Sequence, residues 1–282
     1  MQKLFNKILV PVDFSASSEQ AIEKAVEIAD AYRCSIILMH VVAVSPLTAL
    51  SMADGHFAVP YNVIENYKEL EFLLSKYKEK ATELSSHKIT VSFLVEKGSW
   101  DEAIIEYVNR HLVDLVVIGQ SGSFFKKKKL LVNPDKIAEK THAPVITIPS
   151  NKKITKLYSI VIPITDFLPV RKIMYGIYIA SINNATLKLL CVENKSNKEL
   201  SHHYLMKTYQ LIRDNCGIKT ELETIESENT AEAVNQYAML NAADLVILNP
   251  GTQTKMPGFF SSLLGKRIHK YAAPPVLTVA PL

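Results

Sequence analysis

Residues 7–15 read KILVPVDFS, a short apolar run that ends at an aspartate and a serine. A nearly continuous apolar run of this length is typical of a strand buried on both faces of a parallel sheet. Ser17 followed by Gln20 forms a capping box, after which apolar residues recur at helical spacing through Tyr32. The stretch therefore predicts a buried strand over Lys7–Val12 followed by a helix.

The same alternation of strand and helix continues to residue 150. Apolar runs predict further strands at Cys34–Val42, Val91–Val95, Asp114–Ile118 and Pro144–Ile148. Helical patterns lie between them: a long one through Leu84, one opened by the Ser99–Glu102 capping box, and a short one from the N-cap Asn133 and Pro134 through Lys140. Strands that alternate with helices are joined by right-handed crossovers, so the pattern predicts a five-stranded parallel sheet with helices on both faces.

The second part of the chain repeats the first. The segments IVIP at 160–163, LKLLCV at 187–192, DLVIL at 244–248 and APPVLTV at 273–279 match segments at 8–11, 36–41, 114–118 and 143–148. This order predicts two copies of one α/β unit, residues 1–150 and 156–282, joined by a polar linker at 150–155. Exposed apolar edges favour aggregation, so the terminal strands 145–148 and 276–279 are expected to pair about a pseudo-twofold axis.

Composition excludes several protein classes. Of 282 residues 48% are hydrophobic, and 32 basic against 28 acidic residues leave a net charge of +4, which the run Lys126–Lys129 accounts for. Such a balanced remainder disfavours nucleic acid as a partner. The cysteines Cys34, Cys191 and Cys216 have no C-x-x-C spacing, which predicts neither a disulfide framework nor a zinc finger and indicates a reducing compartment. No run approaches the roughly 20 apolar residues that span a bilayer, so a cytoplasmic protein without a membrane partner is expected.

The start KILVPVDFS, the segment DLVVIGQSG at 114–122 and the closing APVITI resemble the universal stress protein family. The resemblance covers the whole chain as a tandem, two-domain member, and it is diluted in the second domain. It implies two tandem Rossmann-like domains, each a five-stranded parallel sheet with helices on both faces. It also implies a regulatory, stress-response binding module, ATP or another adenine nucleotide as cofactor in many members, and pairing through the last strand, here an intrachain pseudo-dimer with a further homodimer possible.

The resemblance also assigns a nucleotide site in residues 1–150. Asp13, the backbone at Val41, Gly119 and Gly122 match the family's positions for ribose and phosphates, whereas its closing Gly and Ser/Thr are replaced by the segment LLVNP at 130–134, which includes Asn133. Pro134 has no N–H for a phosphate. Lys126 and Lys127 are candidates to replace that contact; the alternative is a solvated loop. Thr165 stands where Asp13 would be, and Asn249–Thr252 replaces Gly119–Gly122, so no second nucleotide site is expected.

Several alternatives remain open from the residues alone. Asp13 lies where open α/β sheets bind ligands, which favours a ligand role, and the alternative is that it caps the next helix. The long connection 43–60 is expected to be either a lid over the site or a disordered segment, and His40 is expected to be a hydrogen-bonded structural residue. No metal site is expected, and the motifs of nucleophilic and phosphoryl-transfer enzymes are missing, which predicts a protein that is not an enzyme. The competing functions are a nucleotide-binding regulator, an interaction module without nucleotide, and a slow ATPase.

Overall fold

The computed structural model describes residues 3–42, 61–120, 132–149, 156–194, 197–251 and 274–281, with no side chains described for 61–66. The first half contains β1 (Lys7–Pro11), α1 (Ala16–Tyr32), β2 (Ser35–Val42), α2 (Tyr61–Leu84), β3 (Val91–Lys97), α3 (Trp100–His111), β4 (Leu115–Gln120), α4 (Pro134–Thr141) and β5 (Val145–Pro149). The second half contains β6 (Ser159–Ile164), α5 (Val170–Asn183), β7 (Thr186–Glu193), α6 (Lys198–Asn215), β8 (Thr220–Glu226), α7 (Thr230–Leu240), β9 (Leu245–Leu248) and β10 (Val276–Thr278). The predicted linker at 150–155 and the connection 43–60 lie outside the described residues.

The ten strands form one sheet in the order β3-β2-β1-β4-β5-β10-β9-β6-β7-β8. All pairings within each half are parallel, and the strand order of the first half recurs in the second. Each half is therefore a five-stranded parallel sheet, as the alternation of strands and helices predicts. The predicted fold class, two tandem Rossmann-like units with helices on both faces, is confirmed.

The two halves join through their last strands. β5 and β10 pair antiparallel, with Ile146 opposite Leu277, which is the direction that a twofold relation between equivalent strands requires. The expected pairing of the two apolar edges is thus confirmed, and it merges the two sheets into one ten-stranded sheet. The outer edges of this sheet are β3 and β8.

Helices cover both faces of the sheet because successive side chains of each strand point to opposite sides. Along β1, Ile8 and Val10 face the layer formed by α1, α2, α5 and α6, whose apolar core runs continuously across both halves. Leu9 faces the other layer, where α3 and α4 cover the first half and α7 covers the second. Within the ranges described above, no helix has the length and apolar character needed to cross a membrane.

Candidate functional site

The candidate site lies in the first half, at the carboxyl ends of β1 and β4. From β1 the chain adds β2 and β3 on one side of the sheet, and it then returns to add β4 and β5 on the other. Such a reversal opens a crevice between the two central strands, and ligands of open α/β sheets bind there. Among the predicted site residues, Asp13 follows β1, Val41 is the second-last residue of β2, Gly119 lies in β4 and Asn133 precedes α4. Gly122, Lys126 and Lys127 lie outside the described residues.

Asp13 is exposed and organises the start of α1. Its Oδ1 atom accepts hydrogen bonds from the Ser15 backbone N–H, at 3.1 Å, and from the Ser15 hydroxyl. Its Oδ2 atom has no hydrogen-bond partner among the residues for which side chains are described, so it is available to a ligand. The capping role and the ligand role of this carboxylate are therefore compatible.

The capping box expected at Ser17 and Gln20 is wrong. The N-cap of α1 is Ser15, whose hydroxyl accepts from the Ser18 N–H at 3.3 Å. Phe14 has φ 59°, a conformation that turns the chain directly after Asp13 and allows the helix to begin at Ala16. The Ser17 hydroxyl instead contacts the Ser15 hydroxyl at 2.8 Å, inside the first turn. The carboxylate of Asp13, which fixes Ser15, decides where the helix starts.

Gly119 is required by the close approach of two backbones. A Cβ atom at this position would lie 1.8 Å from the Ser17 carbonyl oxygen and 2.4 Å from its carbon. The φ of Gly119 lies outside the left-handed region, so this close approach, and not a turn at positive φ, requires the glycine. β4 thus passes directly against the first turn of α1, which brings Gly119 next to the Asp13–Ser15 network.

Three aromatic side chains cluster near the carboxyl ends of β1 and β2. His40 Nδ1 lies 2.7 Å from the Val12 carbonyl oxygen, which confirms the structural role expected for this histidine. The Phe14 ring lies 4.7 Å from His40 and Trp100 meets His40 edge-on at 5.4 Å. All three aromatic residues are half-buried, whereas Val41 is buried as a whole, backbone included. The sequence patterns did not indicate Phe14 or Trp100, although both stand at the carboxyl edge, where a planar base would stack on such rings.

The start of α4 offers few donors to a phosphate. The Asn133 Oδ1 atom accepts from the Asp135 and Lys136 backbone N–H groups at 3.1 and 3.3 Å, which confirms Asn133 as the N-cap. Pro134 has no N–H, and the Ile137 N–H donates to the Asn133 carbonyl. The carboxamide oxygen of Asn133 is occupied by these two hydrogen bonds, so Asn133 acts as the helix cap. A contact between Asn133 and a ligand would have to come from the side-chain amide nitrogen.

Carboxylates also surround this helix start. Asp101 Oδ1 accepts the Asn133 backbone N–H at 2.8 Å, and its Oδ2 lies 3.6 Å from Lys136 Nζ. The Asp135 side chain is buried at the same helix start. Lys136 offsets the charge of Asp101 in part, and the remaining negative charge near the position expected for a phosphate chain opposes its binding. Neither carboxylate was predicted, because Asp101 lies on α3 and reaches the site only through the packing of α3 against α4.

The equivalent crevice of the second half has different chemistry. The Asn249 side chain, which replaces Gly119, donates to the Val279 carbonyl at 3.1 Å. Lys172 in the first turn of α5 is 4% exposed, and its Nζ donates to the Pro163 carbonyl at 2.8 Å. Burial lowers the pKa of Lys172 to about 7. This half therefore has a threonine and an asparagine where the first half has Asp13 and Gly119, and it adds a buried amine in the first turn of α5.

The cysteines are not activated nucleophiles. All three are free thiols. Burial raises the pKa of Cys34 and of Cys191 to about 11, so both stay protonated at neutral pH. Only the thiolate reacts as a nucleophile, so burial disfavours the reactive form of Cys34 and Cys191.

Comparison with known proteins matches this architecture. The sequence model of the universal stress protein family matches residues 4–149. A universal stress protein of Methanocaldococcus jannaschii is 28% identical over 153 residues, covering 54% of this chain and 86% of that protein, and one of Bacillus subtilis is 28% identical over 51% of this chain and 99% of its own. The solved structure of a universal stress protein from Archaeoglobus fulgidus covers 99% of this chain and 98% of its own, with 15% identity and a TM-score of 0.71. The first two relatives match about half of this chain, and the third shares the fold of both halves.

Proposed function

The chain belongs to the universal stress protein family, and from this premise we propose that it is a cytoplasmic, non-catalytic regulatory module that binds an adenine nucleotide. In this proposal residues 1–150 form the binding domain and residues 156–282 form a second domain without a nucleotide site. The ligand changes the surface that the module presents to a protein partner. A further homodimer remains a prediction.

The observation that carries the proposal is the surroundings of Asp13. The carboxylate is exposed in the crevice between β1 and β4, and one oxygen is held by Ser15 while the other is available. A carboxylate so fixed can accept hydrogen bonds from ribose hydroxyls. Phe14, His40 and Trp100 offer ring faces and edges near it. The backbone at Val41, which is buried, stays a candidate contact only through the family resemblance. Together these groups suit a nucleoside.

The phosphate end of the ligand is expected to add little affinity. The N–H groups of Asp135 and Lys136 at the start of α4 already donate to Asn133, and Asp101 and Asp135 add negative charge there. Gly122, Lys126 and Lys127 stay candidates for phosphate contacts from the loop before α4. We therefore propose recognition of the adenosine part, with AMP and ATP bound about equally.

Two experiments test the proposal. Protein purified without added ligand is denatured, and any released nucleotide is identified by mass and absorbance. Calorimetric titration then compares Asp13→Ala with Thr165→Ala, the equivalent position of the second domain. Loss of a hydrogen bond to a charged acceptor costs about 1.5–3 kcal/mol, so the first variant should bind about 10- to 150-fold more weakly. The second should bind like the wild type, and equal affinities of the two variants would reject the site.

An interaction module without nucleotide is the second candidate function. The outer face of α2 exposes Phe72 and Leu73, with 62% and 42% of these residues accessible. Adjacent exposed apolar side chains are suited to protein contacts. This candidate predicts no nucleotide in the purified protein and no heat of binding with AMP, ADP or ATP at millimolar concentration.

A further inference from the structure

A buried carboxylate accepts a hydrogen bond across the junction between the two halves. Asp135 lies in the first turn of α4 in the first half and is 6% exposed. Its Oδ2 accepts a hydrogen bond of 2.9 Å from the backbone N–H of Gly251, a residue 116 positions away in the second half. Buried carboxylates are costly unless hydrogen bonds compensate them, so this contact requires a physical reason.

Gly251 lies in the second half at the carboxyl edge of the sheet, three residues after the end of β9. Its φ is +82°, and no atom of the residues that the structure describes lies within 4 Å of the position of a Cβ. The turn directs the N–H at the Asp135 carboxylate, and a backbone N–H bonded to a charged acceptor gives a strong hydrogen bond.

The helix to which Asp135 belongs also stabilises its negative charge. Asp135 belongs to the first turn of α4, where the positive end of the helix dipole stabilises a negative charge. The carboxylate thus gains from α4 in one half and from the Gly251 N–H in the other. These two gains offset the cost of burying the charge at the junction.

The contacts at the other end of α4 fix the helix. The Arg171 guanidinium donates to the carbonyl of His142, the C-cap of α4, at 2.6 Å, and to the carbonyl of Ala280 at 2.7 Å. Both Arg171 and Ala280 belong to the second half. Since the second half holds both ends of α4, the Asp135 carboxylate is presented to Gly251 by a fixed scaffold.

We propose that the Gly251 N–H is an anion-binding position of the second half and that its ligand is internal, the carboxylate of Asp135. The chain supplies in cis the anion that would otherwise come from solution. Small carboxylates and inorganic phosphate are the class of ligand that this position accepts once Asp135 is removed. The inference goes beyond the proposed function and holds whether or not the first half binds nucleotide.

Chemical rescue tests this proposal on the full chain. Asp135→Ala should lower the midpoint of thermal unfolding by about 3–8 °C, because a bond to a charged group is lost. Sodium formate should then raise the midpoint of this variant saturably toward that of the wild type, since a ligand that binds only the folded state stabilises it. Sodium chloride at equal ionic strength corrects for general salt effects. Formate should leave the wild type and Asp214→Ala unchanged, because Asp214 carries the same charge on the surface and covers no backbone N–H.

A second measurement covers the case in which Asp135→Ala does not fold. Asp135→Asn keeps the size and an acceptor oxygen but removes the charge. Hydrogen exchange of the Gly251 amide should be slow in the wild type and at least several-fold faster in Asp135→Asn. Formate rescue specific to Asp135→Ala, or this loss of Gly251 protection, supports the proposal. An Asp135→Ala variant that folds and responds to formate no more than Asp214→Ala overturns it, as does unchanged exchange at Gly251 in Asp135→Asn.

Discussion

Replacing Gly119 by alanine should be among the most damaging single-methyl additions in the first half. The new Cβ would lie 1.8 Å from the Ser17 carbonyl oxygen, about 1.6 Å closer than the 3.4 Å at which ordinary contact begins. Both partners are backbone, so no side chain can rotate away, and β4 and the first turn of α1 must separate. Overpacked positions cost about 1–3 kcal/mol, and we expect the upper end here. For a chain of this size about 3 kcal/mol lowers the melting midpoint by roughly 6–12 °C.

Gly217→Ala is the matched control for this prediction. Gly217 has no positive φ, and none of the atoms that the structure describes lies within 4 Å of its Cβ position, so the same methyl group should change stability by less than about 0.5 kcal/mol. Urea and thermal unfolding of the two variants and the wild type measure the difference. Equal stabilities of Gly119→Ala and Gly217→Ala would refute the close packing of β4 against α1. That result would leave a ligand contact, which the match to the family motif assigns, as the only role of Gly119.

The remaining predictions concern the second half. Lys172→Met should be more stable than the wild type at pH 7, because the pKa of Lys172 is about 7 in the folded protein and 10.5 in the unfolded chain. Between these two pKa values the unfolded chain holds the proton and the folded protein does not, so the free energy of unfolding of the wild type should rise with pH by up to about 1.4 kcal/mol per unit. The variant lacks this rise. Urea midpoints of the wild type and the variant that run parallel between pH 7 and 9 would contradict the prediction. Arg171→Met removes two charge-assisted hydrogen bonds at the junction and should cost about 2–3 kcal/mol in urea unfolding, whereas Arg213→Met, on the exposed surface, should cost under about 1 kcal/mol. An equal loss in both arginine variants would show that the Arg171 contacts do not hold the halves together.

The strands, helices and repeat could be predicted from the sequence because they depend on local patterns. KILVPV is a buried strand in any context that covers both of its faces, and Asn133-Pro134 starts a helix by local hydrogen bonding. Asp13 could be placed at the carboxyl edge for the same reason. These features need no knowledge of distant contacts.

What the sequence did not indicate depends on tertiary contacts. The need for glycine at position 119 comes from the approach of α1, and the Asp135–Gly251 bond joins residues 116 positions apart. Ser17 was expected to be the N-cap because its spacing to Gln20 fits a capping box. Asp13 overrides that spacing by holding Ser15. Local patterns compete at a helix start, and the contact that wins is visible only in the structure.

Calorimetric titration with AMP and ATP, at low and high salt, tests the central claim most directly. The account predicts one adenine site per chain, nearly equal affinities for the two nucleotides, little dependence on salt, and no change when Lys126–Lys129 are replaced by glutamine. Exposed lysine contacts are screened over a Debye length of about 8 Å at physiological ionic strength, so they would reveal themselves by salt sensitivity. Absence of binding at millimolar ligand, or an affinity that rises steeply from AMP to ATP and falls with salt, would contradict recognition of adenosine in the crevice between β1 and β4.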